Sequence, residues 1–431
     1  MKRKTIDFVG LLISISMILA ACAPATPTEP TAPPATQVPQ ADTAVPPAAP
    51  VTIRYWHTMS DPETAQLQNV IDAFEAANPG ITVEATRYAY SDFKTALTTA
   101  IAGGDVPDTA RMDIVWVPEF ASQGALMQLD GTLSSFDQIA ASVFPGPLTT
   151  NMFNGHYYGL PQNTNTQVLL YNKAIFDLAG ITAPPATMEE FAANACALSD
   201  AATGTYGYAE GGTYFWAPAP IFYAFGAKVV DDNITTATGY TNGPESVAAF
   251  TMLKDLYDRG CLSPNLMGGG IATDAGHATG IYAMIIDGPW MVDIYKGNYP
   301  DFKVNFALVP AGPNGTSSVV GGEDVVIMDG STNKEAAGKW VSYLLTAESQ
   351  KTMAEVGVMP TLASLAGDPS MPAHFAVFME QLKTAQARVP SPRWSDMDTA
   401  ISNAYQRILS GDQTVQEALD QAATEINALL K

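Results

Sequence analysis

Cysteine is nearly missing from this chain, with three among 431 residues. Histidine is almost as scarce: His57, His156, His277 and His374 stand singly, without the close spacing of a metal site. Basic residues are few as well, 21 against 43 acidic ones, for a formal net charge of -22. That imbalance argues against nucleic acid as a partner and against electrostatic docking on anionic lipid. No G-x-S-x-G elbow, H-E-x-x-H pair, P-loop or EF-hand loop occurs, so hydrolase, zinc-peptidase, NTPase and calcium readings lose their anchors. Nothing calls for a metal or a cofactor. Gly268-Gly269-Gly270 is a loop signal without the strand-to-helix setting of a phosphate cradle. Asp231-Asp232 and Glu323-Asp324 are acid pairs that could serve glycoside hydrolysis. Neighbours on a strand point to opposite faces, so adjacency is poor support for a catalytic pair. A surface glycoside hydrolase stays as the alternative from another functional class. No internal repeat is present.

Long apolar runs are also lacking. The run from Phe8 to Leu19 falls short of the about 20 residues that a helix needs to span a bilayer. It follows Lys2, Arg3 and Lys4 and leads to Ala20 and Ala21, the pattern of a secretory signal. Leu19-Ala20-Ala21-Cys22 resembles the bacterial lipobox, which implies cleavage after residue 21 and a lipid on Cys22. Residues 22–50 are Ala, Pro, Thr and little else, a composition that buries too little apolar surface to fold and reads as a semi-rigid tether. Losing residues 1–21 removes Lys2, Arg3, Lys4 and Asp7 and moves the net charge to -24. With Cys22 set aside, Cys196 and Cys261 remain as an even pair in an oxidising compartment. They are read as a disulfide, with two free buried thiols as the alternative.

From Val51 onward the chain is long enough for two domains with cores of their own. Thr52 to Trp56 reads as a strand; Asp61-Pro62-Glu63 then opens a helix whose Leu67, Val70, Ile71 and Phe74 fall on one face. Ile81, Val83 and Ala85 alternate as a second strand, and Phe93, Leu97, Ala100 and Ile101 mark a second helix closed by Gly103-Gly104. Asp113 to Val117 reads as a third strand. This β-α-β-α-β order predicts an α/β fold with a parallel sheet covered on both faces. A second αβ block starts with Val168 to Tyr171 and includes helices from Met188 to Leu198 and from Glu245 to Tyr257, and a strand from Tyr282 to Ile286. The last third is mainly helical.

Seven ordered segments carry a family resemblance: Tyr55-Trp56-His57, Asn78-Pro79-Gly80-Ile81, the run Gly103 to Asp108, Gly159-Leu160-Pro161, Leu170-Tyr171-Asn172-Lys173, Asp287-Gly288-Pro289-Trp290 and the run Ser331 to Ala337. Together they resemble the extracellular solute-binding proteins (family 1) of sugar-type ABC importers, the group that includes maltose-binding protein. The resemblance implies a two-lobed periplasmic-binding-protein fold (type II), with residues 51–163 and 319–368 in one lobe and 166–312 and 369–431 in the other. It also implies a monomer that closes about a carbohydrate by hinge motion and delivers it to a permease. Within the same class, Trp56-His57-Thr58-Met59 looks like the opening of glycerol-3-phosphate or phosphodiester binders, so that ligand stays as the alternative.

A sugar offers an apolar C–H face and a rim of hydroxyls, so its site needs flat rings and side chains that donate and accept. Open α/β sheets bind ligands at the carboxyl ends of their strands, which points to Asp113 as hydroxyl acceptor and Trp116 as stacking face, with helix capping and core packing as the alternative. The resemblance adds His57, otherwise a plain loop residue, Asn165 at the crossing between lobes, and the aromatic residues Trp216 and Trp290. Maltose-binding protein carries an acid where Asn165 stands. Glu323 after Gly321-Gly322, Arg393 and Trp394 at the start of the C-terminal helices, and Tyr90 complete the candidate set; surface packing is the alternative for Arg393 and Trp394. Trp340, among Val341, Leu344 and Leu345, reads as core.

Overall fold

The computed structural model describes residues 50–431; the leader, Cys22 and nearly all of the Pro-rich stretch lie outside the described residues. The strands, in chain order, are β1 (Val51–His57), β2 (Ile81–Arg87), β3 (Thr109–Asp113), β4 (Met152–Phe153), β5 (His156–Tyr157) and β6 (Gly159–Thr166). They continue as β7 (Val168–Tyr171), β8 (Tyr206–Ala209), β9 (Tyr282–Asp287), β10 (Asn305–Ala307), β11 (Ser318–Ile327) and β12 (Ala385–Gln386). One sheet runs β12-β11-β3-β1-β2 with β6 on β11, a second runs β10-β7-β9-β8, and β4 and β5 form a hairpin.

The helix Asp61–Ala77 forms where its signals lie. Ser60 and Glu63 make a capping box, Pro62 occupies the first turn, and Leu67, Val70, Ile71 and Phe74 are buried. They pack with Trp340, which is fully buried as expected, into the core of the first lobe. β1 pairs in parallel with both β2 and β3, but β11 runs antiparallel to β3 and to β6, so the sheet is mixed. The antiparallel pair β6 and β11 is the crossover between the lobes: β7 follows β6 after one residue and enters the second sheet, while the start of β11 pairs with β12.

The expected third strand at 113–117 is displaced. The strand is Thr109–Asp113, and a helix occupies Val117–Ser122. The Asp113 carboxylate accepts a hydrogen bond from the Val115 N–H at 3.0 Å, an Asx turn that ends the strand, and Pro118 sits in the first turn of the helix. The apolar run Ile114-Val115-Trp116-Val117 mimics a strand because periodicity alone cannot separate a short buried turn from one.

In the second lobe, the helices Met188–Ala197, Pro244–Asp258 and Trp394–Ser410 pack around the second sheet. Cys196 and Cys261 are bonded, with Cα atoms 4.6 Å apart. Glu210, just beyond β8, is 2% exposed and accepts from the hydroxyls of Tyr405 at 2.9 Å and Tyr208 at 3.1 Å. Burial pushes its carboxyl up from 4.5 to about 7, although both phenols pull the other way. The folded state therefore holds this proton more tightly than the unfolded chain. The melting temperature is expected to fall as pH rises from about 4.5 to 7 and to level off above that. Differential scanning calorimetry across that range checks this; an equal slope in Glu210→Gln would show that Glu210 is not the source.

Candidate functional site

Between the lobes lies a cleft of about 800 Å³. The first lobe supplies its wall from strand ends. Period-2 alternation puts Arg111 and Asp113 on one face of β3, and Glu323 of β11 lies opposite Asp113 on one side and Asn163 of β6 on the other. Two acids facing each other across strands repel, and the bonding explains how they are held. Glu323 accepts from Arg111 at 2.8 Å and from Asn163 at 2.7 Å. Burial raises the Glu323 carboxyl while the Arg111 guanidinium lowers it. Asp113 accepts from the Tyr90 hydroxyl at 2.8 Å and from Arg388 at 3.2 Å.

Flat faces come from both lobes. Tyr90 and Trp116 lie 5.2 Å apart between centroids, with an interplanar angle of 30°. Across the cleft, Trp216 and Trp290 lie 6.2 Å apart at 35°. The Arg388 guanidinium caps Trp216 at 5.2 Å. Two polar side-chain contacts among the described residues join the lobes across the cleft: Arg388 to Asp113, and Lys94 to the Ser395 hydroxyl at 3.1 Å. Gly321 permits the close approach at the crossover, since a Cβ there would stand 2.2 Å from Asn165 Oδ1 and 2.5 Å from the Trp216 ring. Asn165 Oδ1, Arg388 Nε and Trp394 Nε1 are buried without a partner among the described residues. Such atoms are uncommon, and beside a cleft they leave bonding capacity open.

The cleft thus gathers Tyr90, Asp113, Trp116, Asn165, Trp216, Trp290, Glu323 and Trp394. Trp394 contributes little more than an edge, being 1% exposed and packed T-shaped on Phe215 at 5.4 Å. His57 is not there. It shares the inward face of β1 with Ile53 and Tyr55, stacks on Tyr55 at 5.7 Å, and accepts from the Met59 N–H at 3.3 Å. Burial lowers its pKa to about 4, so it sits neutral in the core. Arg393 is not there either; its Nε bonds Asp396 at 2.7 Å on the outside of the helix start.

Arg388, Tyr214 and Asp398 line the cleft and were missed. Asp398 accepts from the Phe215 N–H at 2.7 Å and so anchors the loop that carries Trp216. Its helix is legible as amphipathic, with Met397, Ala400, Ile401, Ala404 and Tyr405 buried. Ser395, Asp398, Thr399 and Ser402 then form a polar face, but nothing local distinguishes a face on a cleft from one on water. Arg388 precedes Val389-Pro390-Ser391-Pro392, a rigid strap that offered the one available signal.

The family described as bacterial extracellular solute-binding protein matches residues 60–351. A candidate binding protein of Brucella abortus (strain 2308) is 28% identical over 377 residues, 84% of this chain and 89% of its own length. The maltotriose-binding protein of Pyrococcus abyssi is 25% identical over 394 residues, 87% of this chain and 79% of its own. The solved structure of an ABC transporter solute-binding protein from Thermotoga lettingae, bound with α-D-tagatose, aligns at a TM-score of 0.79 and 29% identity, covering 88% of this chain and 100% of that one. With two lobes, a strand crossover and a cleft lined from both sides, this chain belongs to the bacterial extracellular solute-binding proteins.

Proposed function

We propose that the protein captures a mono- or oligosaccharide in the inter-lobe cleft for an ABC importer, held at the outer face of the membrane by a lipid on Cys22. One observation carries the sugar reading: aromatic rings from both lobes, Tyr90 resting on the buried Trp116, and Trp216 with Trp290, border a space rimmed by carboxylates, an amide and hydroxyls. Rings stack on the apolar face of a pyranose and the polar groups meet its hydroxyls. Asp113 and Glu323 already accept from protein donors and serve to orient those donors and to accept further hydroxyls. The only guanidinium lining the cleft among the described residues, Arg388, is paired with Asp113, which favours a neutral ligand over a phosphate. A relative named for maltotriose binding and a similar solved structure bound with α-D-tagatose point the same way.

A thermal-shift panel of glucose, galactose, tagatose, maltose, maltotriose and glycerol 3-phosphate tests this. A binding sugar at 100 times its dissociation constant adds about 2.7 kcal/mol to stability. A shift with glycerol 3-phosphate and none with any sugar would reverse the reading. For the anchor, Cys22→Ser is expected to move the protein from the membrane fraction to the medium, and an unchanged distribution would remove the lipid from the account.

A further inference from the structure

Beside the cleft, past the bridge between Asp113 and Arg388, lies a second chamber of about 450 Å³. Val115 and Arg388 line both spaces, so the two adjoin at those side chains. The chamber has a different chemistry. Pro118, Met152 and Phe153 form one wall; Ile234, Val389 and Pro390 form the other. Thr150 at its edge turns its hydroxyl inward, within 2.7 Å of the Pro147 carbonyl and 3.1 Å of the Asp324 carboxyl. The volume falls in the range of roughly 300–1,000 Å³ typical of small-molecule pockets. Thr149, Asn154, Arg388 and Ser391 also line the chamber, but its larger part is apolar, so an apolar group gains there by leaving water while a sugar ring finds partners for few of its hydroxyls.

Backbone conformation supplies a second, independent observation. Among the described residues the non-glycine residues at positive φ are Asn154, at 50°, and Ile234, at 55°, and both line this chamber. Asn154 is explained by the Asn-Gly turn of the β4–β5 hairpin. Ile234 is not explained by its turn, because a β-branched residue is a marked outlier in the left-handed region. Its loop is pinned by Asp231, which accepts from the N–H groups of Thr235 at 2.6 Å and Thr236 at 2.8 Å. Such held outliers concentrate at functional sites. An asparagine would suit the backbone better, yet an isoleucine supplies the wall.

We propose that the second chamber receives an apolar substituent, such as an aryl ring, carried by the sugar in the main cleft, so that the preferred ligands are glycosides with an apolar group. This rests on the sugar reading above. The test compares affinities, by titration calorimetry, for glucose, galactose and maltose with those for the p-nitrophenyl α- and β-glycosides of the same sugars. Burial of one aromatic ring is expected to tighten binding about tenfold over the free sugar. Ile234→Asn, which relieves the backbone while making the wall polar, is expected to erase that gain and leave free-sugar affinity and melting temperature unreduced. Met152→Glu should do the same from the opposite wall. Aryl glycosides that bind no tighter than the free sugars, or a gain that survives both variants, would overturn the chamber and leave the sugar reading standing. If no free sugar binds, the sugar reading fails and the occupant proposed here fails with it.

Discussion

Replacing Trp216 by alanine is expected to weaken sugar binding by roughly two orders of magnitude, about 3 kcal/mol, while the protein stays folded. Trp216 occupies the meeting point of several constraints. Its ring lies 6.2 Å from that of Trp290 and 5.2 Å from the Arg388 guanidinium, and its edge reaches to Gly321 where the lobes cross. Truncation removes a stacking face and also the platform that aims Arg388 at Asp113, so the ligand loses contact area and the bridge between Arg388 and Asp113 loses its support. The backbone is tied independently, through the Gln167 side chain, which donates to the Trp216 carbonyl at 2.6 Å. The side chain is only half-buried, and the fold does not depend on it. Titration calorimetry with the best sugar of the panel, alongside circular dichroism, checks both halves; unchanged affinity would take Trp216 out of the site.

Removing the disulfide with Cys196→Ala and Cys261→Ala is expected to cost about 4 kcal/mol of stability, from the loop-closure entropy of a separation of 65 residues. The bond joins the last turn of the helix Met188–Ala197 to the segment after Pro244–Asp258, and β8 lies against both. Tyr208 donates its N–H to the Cys261 carbonyl at 3.1 Å, and Gly207 approaches Ala195 so closely that a Cβ would lie 1.9 Å from its carbonyl oxygen. β8 leads directly to Glu210 and to the loop that presents Tyr214 and Trp216. Loosening this corner should therefore lower sugar affinity as well as the denaturation midpoint. Urea unfolding of the double variant measures the first effect and calorimetry the second. An identical midpoint for oxidised protein and double variant would show that the bond carries no stability.

Local chemistry sufficed for much of the fold. The capping box, Pro62 and the i, i+3, i+4, i+7 pattern define the helix Asp61–Ala77, because those interactions lie within a few residues of one another. The same holds for the strands β1 and β2 and the helix Pro244–Asp258. Expectation and fold part at two places, for different reasons. His57 continues the alternation of Ile53 and Tyr55, and the pleat alone would have sent it inward, yet family position argued for the cleft. In the run 114–117, Trp116 and Val117 pack into a first-lobe core while Val115 lies against cores of both lobes. The burial of Val115 depends on the other lobe being present.

The cleft itself divides in the same way. Asp113 and Glu323 were legible as candidates from residue type, at strand ends and turns where α/β proteins bind ligands, whereas Trp216 and Trp290 came from the family resemblance. By itself the sequence determined a charge balance, a two-block αβ order, the helices with local caps, and membership of a family. Only the tertiary structure decided that Arg388, 275 residues from Asp113, closes a bridge across the lobes, and that Asp398 on a polar helix face looks into a cleft and not into water. Helix and strand signals are written in neighbouring side chains, whereas a site between two lobes is made by segments whose proximity exists only after both cores have formed.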